Sequence, residues 1–224
     1  MRRFLHDNSL SLVFAALFLA AVAGQSYVGW EKFNEDAREH SQHVISYGRY
    51  LVSSDFGVAV LENWQSEYLQ FFLFILLTIW LVQKGSNESK ELHQIGLEPD
   101  ETQLVGPHAK EASPAWAKAG GWRTAVYSHS LLIVMGLIFV LSWFGQSVTG
   151  WTQFNEEQRE HKNQTVSWGE YLERPDFWER SLQNWQSEFL AIGTIVAFSI
   201  YLRQRGSPES KPVGSPHDET ATSG

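Results

Sequence analysis

The 224-residue chain contains no cysteine. Disulfides, thiolate metal sites and cysteine nucleophiles are therefore excluded. No phosphate-binding loop or nucleophile elbow occurs, so phosphoryl and acyl transfer have no motif to rest on, and the reading leans away from an enzyme. No histidine lies within the middle of an apolar run, which removes the usual bis-histidine haem site of a membrane bundle. No charge lies there either, so a proton or ion path across the whole membrane lacks a relay. Basic residues are in the minority, with 17 Lys and Arg against 25 Asp and Glu and a net charge of -8. Acidic stretches at 31–62 and 152–183 disfavour nucleic acid and suit cations or a basic partner.

What the chain has instead is segregation. A mean hydropathy of -0.24 averages over long apolar runs and long polar stretches. Leu10 to Trp30 and Leu131 to Trp151 are free of charge, and a helix of roughly 20 apolar residues crosses a bilayer core. Two shorter runs, Tyr68 to Val82 and Phe189 to Leu202, cross only if the polar residues before them lie within the membrane thickness. The expectation is an all-α membrane protein with four spans, at about 10–30, 63–82, 131–151 and 184–202.

Met1-Arg2-Arg3, an apolar run and Ala21-Val22-Ala23 also resemble a cleavable signal. Against cleavage, Gly24-Gln25-Ser26 recurs as Gly145-Gln146-Ser147 at the end of an equivalent mid-chain segment. Residues 24–90 align with 145–211 without a gap, and about half of the positions are identical. A unit with two spans re-enters the membrane in the same direction, so the copies form a parallel repeat. The chain then divides into repeat 1 (1–90, with an outer cap at 31–62), a flexible linker at 91–120, repeat 2 (121–211, with a cap at 152–183) and a disordered tail at 212–224. Arg2, Arg3, Lys84, Arg123, Arg203 and Arg205 fall near span ends on one side, which places both termini in the cytoplasm. Trp30, Trp64, Trp151 and Trp185 fall at the opposite boundary, where indole rings are favoured as anchors.

In each copy the first span should continue as a helix through Gly29 to His40 or Gly150 to His161. The last helix should begin near Ser54 or Pro175 and end at Gly85 or Gly206. Two constellations could carry function. NWQSE (Asn63 to Glu67, Asn184 to Glu188) puts a carboxylate roughly 6 Å below the outer boundary at 1.5 Å per residue. With Gln25 and Gln146 at similar depth, the expected polar layer is Gln25, Asn63, Glu67, Gln146, Asn184 and Glu188. Such groups hydrogen-bond across helices, with Gly24 and Gly29 letting backbones approach, or form a protonatable or cation site. FNExxREH supplies Glu35, Glu39 and His40, then Glu156, Glu160 and His161. These are a solvated helix face or ligands for a divalent metal, although the Glu-x-x-His spacing of di-iron bundles is absent.

On these duplicated motifs, and on Leu202 to Gly214 (LRQRGSPESKPVG), the chain resembles a family of uncharacterised bacterial transmembrane proteins, largely actinobacterial. The resemblance implies this topology and a bacterial inner membrane, and brings no activity. The first unit has Val82 where the second has an arginine, and Gly57 where the second has Trp178. Expected partners are the lipid bilayer, an envelope protein or further copies of the chain. No cofactor is expected beyond the candidate metal.

Overall fold

In the computed structural model, which describes residues 2–221, the chain is all-helical, with no strand among the described residues. The helices are α1 (Arg2–Asp7), α2 (Ser9–Glu39), α3 (Tyr47–Tyr50), α4 (Ser54–Leu77), α5 (Ala115–Ala119), α6 (Gly121–Ser128), α7 (Ser130–Glu160), α8 (Trp168–Leu172) and α9 (Pro175–Tyr201). A 3-10 turn lies at Gly106–His108. Two compact units result, one of residues 1–60 with 146–168, the other of 61–145 with 169–224.

Among the described residues two helices, α2 and α7, are long and apolar enough to cross a membrane. At 1.5 Å per residue each 31-residue helix extends about 46 Å. Both carry exposed Leu, Val and Phe along the apolar half, including Leu10, Phe14, Leu17, Leu131, Leu137 and Leu141.

Both bounds of α2 and α7 fall at positions matched by the sequence repeat, and so do the starts of α4 and α9. α1 stops before Asn8 and α6 before His129, two matched positions with nearly equal backbone angles (φ -119 and -114). At their far ends, α2 and α7 close where Ser41 and Lys162 take left-handed φ of 56 and 58. The next amides turn back, Gln42 onto the Ala37 carbonyl at 2.7 Å and Asn163 onto that of Gln158 at 2.8 Å. This closure satisfies carbonyls that the last helical turn leaves open.

The final helices begin at the expected residues, Ser54 and Pro175, but end earlier than the sequence suggests, at Leu77 and Tyr201 rather than Gly85 and Gly206. At the first end Thr78 bonds its hydroxyl to the Phe74 carbonyl at 2.8 Å, a local alternative to the helical ladder. At the second, Leu202 turns extended and the Arg203 guanidinium caps the carbonyls of Ser199, Ile200 and Leu202.

Beyond each end lies a matched turn. Gly85 and Gly206 adopt φ of 88 and 84, a region where glycine carries no Cβ penalty. Ser89 and Ser210 then accept the backbone N–H of Gln83 and Gln204 at 2.8 and 2.9 Å. In the second copy Lys211 is 1% exposed and donates to the carbonyls of Gly85, Pro216, His217 and Glu219. These bonds hold the segment expected as a tail up to the last described residues, and 222–224 lie outside them.

Candidate functional site

The first unit is organised by two asparagines. Asn34 on α2 exchanges a pair of hydrogen bonds with the backbone of one residue, donating to the Ile45 carbonyl at 3.0 Å and accepting the Ile45 N–H at 2.8 Å. Trp30, one turn earlier on the same face, donates its indole N–H to that carbonyl at 2.7 Å. Asn155 and Trp151 repeat the arrangement on Val166 at 2.8 to 2.9 Å. Ser26 then meets the Tyr47 hydroxyl at 2.7 Å, and Ser147 accepts the Trp168 indole N–H at 3.1 Å. The returning segment of each cap is thereby fixed against its own helix. Trp30 and Trp151, expected as membrane anchors, are also structural donors in this lock.

Between these locks, and wholly within the first unit, lies a cleft of about 1090 Å³. Its charged lining is Asp36, Asp55, Glu156, Glu157 and Glu160 against Arg49, with His40 and His161. Matched positions of the two copies contribute, Asp36 with Glu157 and His40 with His161. Ser54 donates to Glu156 at 2.7 Å and Gln153 to Asp55 at 2.8 Å, so two of the carboxylates are oriented by neutral donors. His40 Nδ1 lies 2.9 Å from the Asp36 carbonyl.

Of the residues singled out as metal candidates, His40, Glu156, Glu160 and His161 meet at this cleft, whereas Glu35 lines a separate hollow beside Trp30, Glu31 and Arg38. Glu39 is exposed and lines neither. Among the described residues no three His, Asp or Glu side chains converge as a metal ion requires. Asp36, Asp55, Glu157 and Arg49 are the cleft residues that motif reading passes over. The pairing of Asp36 with Glu157 across the repeat is the signal that could have found them.

The NWQSE residues are distributed between different environments. Gln65 and Ser66, not the glutamate, are the buried members, at 0% and 1% exposure. Gln65 accepts the Trp185 indole N–H at 2.7 Å and donates to the Glu62 carbonyl at 3.1 Å. Around this bond Trp143 stacks on Phe139 and Phe177 and reaches Ser181 with its indole N–H. Arg180 pairs with Glu62 at 3.2 Å. Burial raises the pKa of the Glu62 carboxyl, and the Arg180 charge only partly opposes that. Glu67 is exposed, and Glu188 is half-buried within electrostatic reach of Glu67 and hydrogen-bonding reach of Ser66. Asn184 donates to the Arg180 carbonyl, while Asn63 and Trp64 are exposed.

The two glutamines expected to match do not. Gln25 is exposed and donates to the Ala59 carbonyl at 3.3 Å. Gln146 is 2% exposed, and neither its amide oxygen nor its nitrogen has a partner. A buried polar group without a bond costs about 1–3 kcal/mol. Gln146→Met, which keeps shape and removes both polar atoms, is expected to raise stability by about 1–2 kcal/mol. Gln25→Met should leave it nearly unchanged. Thermal unfolding of the detergent-purified chain, followed by tryptophan fluorescence, checks both, and a loss of stability in Gln146→Met contradicts the assignment.

Comparison with curated proteins and with solved structures gives no match. A family model matches residues 1–222, essentially the whole chain, which therefore belongs to the family described as a domain of unknown function, DUF6766.

Proposed function

We propose that this chain is a four-span, non-enzymatic protein of the bacterial inner membrane, built from two parallel hairpin repeats with both termini in the cytoplasm. Its outer caps present the acidic cleft to a basic envelope partner. The observation that carries this reading is the lining itself, five carboxylates against one guanidinium in a cleft of about 1090 Å³. A surface of one sign steers and selects partners of the other sign, and its effect weakens as salt screens it. Apolar exposure along α2 and α7 supports the membrane setting, and in this reading α4 and α9, of 24 and 27 residues, supply the second span of each hairpin.

The test is co-purification from native membranes with the Glu157→Lys, Glu160→Lys variant beside the parent. A basic protein should accompany the parent, leave in high salt, and be reduced at least about tenfold with the variant, as reversing two charges at a rim requires. Identical companions for both proteins would overturn the cleft as the binding surface. A second reading, a cation-linked role, is favoured only by the approach of Glu67 and Glu188. It requires the Glu67→Gln, Glu188→Gln double variant to lose its cellular phenotype while the cleft variant keeps it.

A further inference from the structure

A second hollow lies entirely in the other unit, along the C-terminal half of α9. It is a groove of about 610 Å³ with an apolar floor of Leu190, Ala191, Thr194, Ile195 and Phe198, and at one end it carries Arg203 and Glu209. That volume is in the range of about 300–1,000 Å³ typical of small-molecule sites. The two charges at its end are not paired with each other. Arg203 spends Nη1 on three carbonyls and Nη2 on the Ser215 carbonyl at 3.1 Å. All of these acceptors are neutral, no carboxylate among the described residues forms an ion pair with the guanidinium, and Nη2 retains a second hydrogen. Its Nε is buried without a partner. Glu209 is exposed, and its acidic neighbour Glu88 lies within hydrogen-bonding reach, which leaves two carboxyl groups side by side.

An apolar trough that ends in an arginine, with the buried Lys211 within electrostatic reach of it, and in an acidic pair matches one chemistry. We infer that the groove seats a zwitterionic glycerophospholipid with a primary ammonium headgroup. An acyl chain lies over Leu190 to Phe198, the phosphate on Arg203 and the ammonium at Glu209. A purely anionic headgroup would meet repulsion from Glu209, and a quaternary ammonium has no N–H to donate to it. The second Nη2 hydrogen of Arg203 is left to donate to a phosphate oxygen, and a charge-assisted bond of that kind is stronger than a neutral one. The inference rests on reading α9 as a membrane span whose C-terminal end meets the inner surface.

The experiment uses the full chain in nanodiscs of ethanolamine, choline or glycerol phospholipid, then counts lipid retained after transfer to detergent by native mass spectrometry. One ethanolamine phospholipid should remain bound, favoured at least about tenfold over the other headgroups, the scale of one charge-assisted contact. Glu209→Gln, an exposed and structurally undemanding change, should abolish the preference over the glycerol headgroup. Ala191→Phe with Thr194→Phe, which fills the groove, should reduce retention of every lipid at an unchanged melting temperature. No retained lipid in the parent, equal retention of all headgroups, indifference to both variants, or a dimer without lipid that closes the groove with a second copy would each overturn the proposal. Leu190→Cys and Phe198→Cys probes separate this from the span reading. Water-accessible thiols there sink the span itself, whereas shielded thiols without retained lipid sink only the lipid site.

Discussion

Replacing Asn34 and Asn155 together with alanine is expected to lower stability by about 2–6 kcal/mol, because each removes two bonds to the backbone of one half-buried residue at roughly 1–3 kcal/mol per site. The two residues are 3% and 4% exposed, so water does not readily replace what the side chain supplies. After truncation the Ile45 and Val166 N–H groups lose their acceptor, while the carbonyls keep only the indole donors of Trp30 and Trp151. Losses at the two sites should add if they are energetically independent. Asn34→Asp is the informative intermediate, since it keeps the acceptor for Ile45 N–H and discards the donor to its carbonyl. Unfolding in detergent measures the cost, and amide exchange at Ile45 and Val166 locates it. A change below about 0.5 kcal/mol, the size of an ordinary surface substitution, would show that the asparagines do not hold the caps.

Gly29→Leu is expected to destabilise by about 2–3 kcal/mol or more through overpacking. A Cβ at Gly29 collides with the Tyr50 hydroxyl and comes within 3.1 Å of its ring carbon Cζ. Tyr50 cannot easily retreat, since it is 5% exposed and its ring packs on Phe33 and Phe56 at 6.0 and 5.7 Å. Burial, and secondarily the charge of Asp55, raises the pKa of its phenol. Gly24 supplies the control, because a Cβ there meets nothing within 4 Å. Gly24→Leu should therefore be close to neutral in the same unfolding assay. Equal effects at the two glycines would contradict the packing of α3 against α2.

Much of the helix plan was legible in the chain. Uncharged runs and the helix formers after them gave α2 and α7 their full lengths, and Ser54 and Pro175 marked where the last helices begin. The cap residues Tyr50 and Tyr171, matched in the repeat, are both buried, at 5% and 2%. The helix ends were less legible, since they depend on where Thr78 and Arg203 send their hydrogen bonds, and neither residue type dictates that choice. The polar layer shows the same limit. Motif identity singled out NWQSE, and the eye goes to its glutamate, but burial falls on Gln65 and Ser66 one helical face away. Gln25 and Gln146 share the Gly-Gln-Ser motif and differ in burial, because solvent access follows neighbours that the local motif does not encode. The cleft was legible only as acidity, while its membership depends on the first unit bringing α2, α4 and α7 together.

The membrane topology is the claim on which the account stands, and the absence of cysteine makes it directly measurable. Single cysteines at His43 and Gln164 in the caps, and at Ile95 and Val213 in the linker and tail, can be treated with a membrane-impermeant maleimide on spheroplasts and on inverted vesicles. Labelling of His43→Cys and Gln164→Cys on spheroplasts, and of Ile95→Cys and Val213→Cys only on inverted vesicles, is the predicted result. A cap and the linker labelled from the same side would contradict the four-span hairpin repeat.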